Sequence, residues 1–165
     1  MGVKWTTKKN KLPEIEKSAE GMQSKKVKIG AMKGEHQWLA GIHEYGCNIP
    51  VTPKMRAYLH AQGLHLKDDT KVIKIPERAF LRNGHDENAD RIITQTERMI
   101  SMVVAGKKSV DDMLNECGRQ FATAIKEYMG ETKANHPFTI EQKGSSTPLT
   151  GATGALVNSI DWEVE

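Results

Sequence analysis

Ser109-Val110-Asp111-Asp112-Met113-Leu114-Asn115-Glu116-Cys117-Gly118-Arg119-Gln120-Phe121-Ala122-Thr123-Ala124-Ile125-Lys126-Glu127-Tyr128 carries an almost unbroken apolar seam at helical spacing. Val110, Met113, Leu114, Cys117, Phe121, Ile125 and Tyr128 fall on one face, the signature of a helix laid against a core. Ser109 is suited to cap it, with Asp112 three residues on as a variant capping box. Upstream, Asp86 reads as the N-cap of a second long helix reaching about Ala105. Its stripe is Ala89, Ile92, Ile93, Thr96, Ile100, Val103 and Val104. Gly106 ends it, with Lys107 and Lys108 near the negative end of its dipole. So short a connection predicts an antiparallel helical hairpin.

Working outward, Ile160-Asp161-Trp162-Glu163-Val164 alternates apolar and polar residues, a strand with Ile160, Trp162 and Val164 inward. Lys25 to Met32 alternates in the same way through Val27, Ile29 and Ala31. The terminal strand must return beside this early one. The expected fold is therefore α+β: a small mixed or antiparallel sheet packed against a long antiparallel helical hairpin. Trp38, Leu39, Ile42 and Tyr45 recur at helical spacing up to a Gly46 C-cap, with a strand as the competing reading. Residues 47–85 form a long middle region containing Pro50, Pro53 and Gly63, with a short strand over Val72 to Ile75. Lys54 to Gln62 reads either as a helical turn or as a strand extension. Residues 135–150 read as a polar loop, followed by a short helix through Leu156.

The chain has 165 residues, one domain's length. With 38% hydrophobic and 27% charged residues it has the balance of a soluble globular protein. No apolar run approaches the ~20 residues that cross a bilayer. The N-terminus lacks the apolar core of a signal peptide, so export is not expected. The net charge of +3 is uneven. Residues 1–28 hold eight Lys and three Glu; the remainder holds sixteen basic and eighteen acidic side chains. Residues 1–24 thus read as a flexible basic arm, with a short helix around 13–22, and residues 25–165 as the single folded domain. Such an arm suits nucleic acid or an acidic partner.

Residues that commonly carry chemistry are poorly arranged for it. His36, His43, Glu44 and Cys47 resemble a metal-ligand set but lack HExxH spacing, and His60 and His65 have no third partner. No GxSxG elbow and no Gly-Lys-Ser/Thr phosphate loop is present. The expectation is a non-enzyme with no cofactor and no metal. Ile75-Pro76-Glu77-Arg78-Ala79-Phe80-Leu81-Arg82 instead combines a stiff backbone, two arginines and an aromatic, the residue types of protein–protein contacts. Lys54, Arg56, Arg78, Phe80 and Arg82 are the candidate partner-interface residues. The alternative for Phe80 and Leu81 is that they plug the core below the first long helix.

Three segments carry a resemblance to a family of tailed-phage and prophage neck or tail-completion proteins, labelled virion morphogenesis or gene-product-ten-like. Leu39-Ala40-Gly41-Ile42-His43-Glu44-Tyr45-Gly46 is similar to its "A-x-I-H-E-F/Y-G", and Ile75 to Arg82 to its "I-P-x-R-x-F-L/I-R". Thr139 to Ser146, Pro148-Leu149, Thr153-Gly154-Ala155-Leu156 and Ser159-Ile160 follow its "T-I-x-x-K-G-S-S-x-P-L-x-x-T-G-x-L-x-x-S-I". With Val51-Thr52-Pro53-Lys54-Met55-Arg56 the likeness spans roughly residues 25–165. One departure is Gly151-Ala152, where the family often has Asp before the Thr-Gly step. The resemblance implies a virion structural protein forming a ring, commonly sixfold. The ring would sit at the head–tail junction or tail end, between portal or head-completion proteins and the tail tube or terminator; a mixed reading keeps the basic arm as a transient contact to DNA in the lumen. Assembly would occur in the bacterial host cytoplasm. The alternatives are a tail terminator capping the tube, or a nucleic-acid-binding module using the Lys-rich arm.

Overall fold

Apolar alternation at Val27–Ala31 (β1) and Ile160–Val164 (β4) brings the two ends of the domain together as an antiparallel pair. Val27 lies opposite Val164, Ile29 opposite Trp162 and Ala31 opposite Ile160, so the inward sets coincide. The computed structural model describes residues 10–32, 34–151 and 153–165. Among them are eight helices and two antiparallel sheets of two strands each: a mixed α/β architecture.

The helix over Val110–Gly130 (α6) is the hub. It begins as its sequence requires, with Ser109 Oγ accepting from the Asp112 backbone N–H at 3.0 Å. One side of it receives the β1–β4 sheet. Gly118 permits this contact, because a Cβ there would sit 2.5 Å from Trp162 Cδ1 and 2.9 Å from Val27 Cγ1. Ala122, Ile125 and Met129 then join Ala31, Ala40, Phe80, Leu149, Leu156 and Ile160 in the main core. The helix Ala89–Val104 (α5) packs Ile92 on Phe121 and Ala124, and Met99 and Val103 on Met113. Met22, from the helix Leu12–Ser24 (α1), completes that second cluster. Part of the expected basic arm is thus a helix seated on α5 and α6; residues 1–9 lie outside the described residues.

Several expectations are corrected. Asp86 is not an N-cap: it closes an extra helix, Phe80–Asp86 (α4), and α5 starts after Asn88 with no side-chain cap. The α5 stripe is rotated from the expected one. Ile92, Met99 and Val103 are buried, whereas Ile93 (51% exposed), Ile100 and Val104 (41%) face outward. α6 and α1 pack on one face of α5, where Met99, absent from the expected stripe, is buried with Val103 and Met113. In the helix Gly34–Tyr45 (α2) the buried residues are Ala40 and Glu44, while Trp38 (71%) and Tyr45 (73%) are exposed.

The middle region is regular rather than open. Cys47–Pro50 (β2) pairs with Val72–Ile75 (β3) as a separate sheet, so the strands do not form a single one. Between them Pro53–Ala61 (α3) is helical, with Thr52 Oγ1 accepting from Met55 N–H at 3.2 Å. Residues 135–150 hold a helix, Pro137–Lys143 (α7), opened by Pro at its first position and ended by Gly144 at φ 65°. A short helix, Ala155–Ser159 (α8), leads directly into β4.

Candidate functional site

The segment before Gly46 and the segment after Ile75 are built into one unit. Gly46 ends α2 at φ +71°, and a Cβ there would lie 2.8 Å from the Ile75 carbonyl oxygen and 2.9 Å from Glu77 N. The two segments therefore touch backbone to backbone. Arg78 N–H donates to the His43 carbonyl at 2.8 Å, which positions the left-handed Ala79 (φ 43°) that turns the chain into α4.

Glu44 completes the lock. Its side chain is 2% exposed and covers the start of α4. Its Oε2 accepts from Leu81 N–H at 2.9 Å and its Oε1 from Arg82 N–H at 3.3 Å. A helix start leaves such donors orphaned, and α4 has no cap of its own. Arg82 neutralises the buried carboxylate, with Nε 2.8 Å from Glu44 Oε1 and a second nitrogen 3.1 Å from the Glu44 carbonyl. The same guanidinium reaches Glu77 Oε1 at 2.5 Å and lies 5.2 Å from the Tyr45 ring centroid. Its hydrogen bonds to Glu44 and then Glu77 hold it above its ordinary value.

The five expected interface residues occupy different environments. Phe80 is fully buried in the main core, so its side chain is an internal plug and not a partner contact. Arg56 folds back onto its own loop and donates to the carbonyls of Leu66, Lys67 and Thr70 at 3.3, 2.9 and 2.6 Å. Lys54 is exposed at the start of α3. Arg82 is half-exposed but committed to Glu44 and Glu77. Arg78 lines a cavity.

That cavity, about 500 Å³, lies between α2, β3 and α7. His43 comes from the first family-like segment, Pro76 and Arg78 from the second, Thr139 and Lys143 from the third. Burial, then Arg78 and Lys143, push the His43 imidazole down to about 4. Desolvation also lowers Arg78. From the sequence, His43 and Glu44 read as metal ligands or, for the histidine, as a packing or surface residue. Among the described residues no group of three or more His, Cys, Asp or Glu is placed to hold a metal ion. The signal for their actual pairing was charge: a Glu in one apolar segment and arginines in another, over thirty residues later.

Among the described residues no helix is long and apolar enough to cross a membrane. Compared with known proteins, the chain matches no protein-family model, no curated protein and no solved structure.

Proposed function

We propose that this chain is a structural protein of a tailed phage or phage-like particle, acting by assembly into a ring at the head–tail junction or tail end. The observation that carries the reading is the meeting of the three family-like segments. His43, Arg78 and Lys143 are distant in sequence, yet they line one cavity, and the first two segments also join backbone to backbone.

The surface supplies a means of assembly. A closed ring needs two unlike patches, each meeting the other on the next subunit. Trp38 and Tyr45 stand exposed seven residues apart on α2, with the Arg82 guanidinium over the Tyr45 ring. Ile93, Ile100 and Val104 stand exposed on α5. The first is the aromatic-plus-arginine chemistry of binding hot spots, the second an aliphatic stripe that would receive it. In this reading α5 and α6 form a long antiparallel hairpin whose outer face is the receiving patch. The neighbours above and below would be portal or head-completion proteins and the tail tube or its terminator.

The test is complementation of particle assembly. Ile93→Asp with Ile100→Asp should leave the monomer folded and abolish incorporation into particles. Trp38→Ala should do the same from the other face. Normal incorporation of both variants would count against the proposal.

A further inference from the structure

We propose that the cavity between α2, β3 and α7 is a carboxylate-binding site, taking an acidic group carried on an apolar body. The site is distinct from the exposed faces of the ring reading and does not depend on it.

The walls have one sign of charge. Lys74, Arg78 and Lys143 line the cavity, with His43 and His136, and no Asp or Glu is among its described lining residues. Cations brought together around a space without a counter-charge raise the local concentration of anions. Donors also stand idle there. One terminal nitrogen of Arg78 and Nδ2 of Asn135 are buried with no hydrogen-bond partner among the described residues, as is Nδ1 of His43. Buried polar groups are nearly always paired, so three covered and unpaired atoms on residues that line one cavity leave hydrogen-bonding capacity that a ligand takes up when the Arg78 and Asn135 side chains turn toward it. Elsewhere in the described residues the same condition is met only by Gln120 Oε1, on a different face.

The remaining walls choose the anion. Leu64, Ile73 and Phe138 make much of the cavity apolar. A phosphate wants donors on every side and water beyond them. A carboxylate needs two planar donors, which a guanidinium and an amide provide, and it can carry an apolar body against these walls. A free small molecule and a polypeptide present the same carboxylate chemistry to the site.

The test titrates the full chain with phenylacetate, with inorganic phosphate and with the blocked dipeptide N-acetyl-Leu-Glu-amide. Readouts are the thermal midpoint and the NMR signals of the His43 ring. Phenylacetate or the dipeptide should raise the midpoint and move the His43 signals. Tighter binding of the dipeptide assigns a polypeptide source, and tighter binding of phenylacetate a small molecule. Arg78→Met should weaken this binding by ~10-fold or more, the loss of one charge-assisted pair, without lowering the midpoint of the free protein. Asn135→Asp places a carboxylate among the cations, so it should abolish binding while raising that midpoint. Should Arg78→Met fail to fold, Asn135→Asp and Lys143→Gln carry the test. No response to either carboxylate overturns the proposal, as does a response to phosphate alone or undiminished binding in Asn135→Asp.

Discussion

Glu44 illustrates how one side chain joins distant parts of a chain. Its carboxylate replaces the cap that α4 lacks and accepts from Arg82 as well. Glu44→Ala leaves two backbone donors unpaired in a region with little water and should cost about 2–4 kcal/mol in urea unfolding. Arg82→Ala should cost a comparable amount, because it leaves the buried Glu44 carboxylate without its counter-charge. A double-mutant cycle between the two should show clear coupling. His43 gives the pH signature. Its folded-state value near 4 lies below the ordinary 6.5, so between these the unfolded chain holds more protons. Its contribution is therefore fully present above about pH 6.5 and is lost as pH falls toward 4. With partial solvent screening the loss is about 1–2 kcal/mol, seen as a steeper acid-side fall than in His43→Gln. Phe80→Ala should cost about 3–5 kcal/mol, the range for emptying an aromatic from a packed core. A loss below ~1 kcal/mol would restore Phe80 as a surface contact.

At the scale of elements, packing decides what local pattern cannot. Both strands of the β1–β4 sheet were legible because alternation is a two-residue signal that either register violates visibly. The Ser109 cap and the seam of α6 were legible for a similar reason: the helix is long and one-sided. α5 was legible in existence but not in rotation. Ile92 and Ile93 are adjacent, and only the placement of α1 and α6 determines which is covered. The start of α4 was invisible locally, since its cap is supplied from residue 44. α7 was hidden by polar composition, although Pro137 and Gly144 bracket it. The contact at Gly118 yields a further prediction. Gly118→Ala would push on Trp162 and Val27, and should destabilise by about 1–3 kcal/mol and shift the tryptophan fluorescence. Unchanged fluorescence and stability would mean the sheet does not rest on α6 at that point.

At the scale of the whole molecule, the interface expectation shifted from one loop to two faces. The loop at residues 75–82 is anchored inward through the Phe80 side chain and the Arg78 backbone N–H, while the half-exposed Arg82 guanidinium joins the buried Glu44 to the exposed Tyr45 ring. What lies outward is aromatic on α2 and aliphatic on α5. Sequence periodicity assigned the α5 stripe to the core, because an apolar face reads the same whether it is covered by its own chain or by another. The most direct measurement is the mass of the purified chain by light scattering over a range of concentrations, with negative-stain images of the same fractions. Closed rings of about six chains, reached directly or as concentration rises and lost in Ile93→Asp with Ile100→Asp, are the predicted result. A monomer at every concentration, which stays monomeric when tail tubes or portal-bearing capsids are added, would contradict the assembly role.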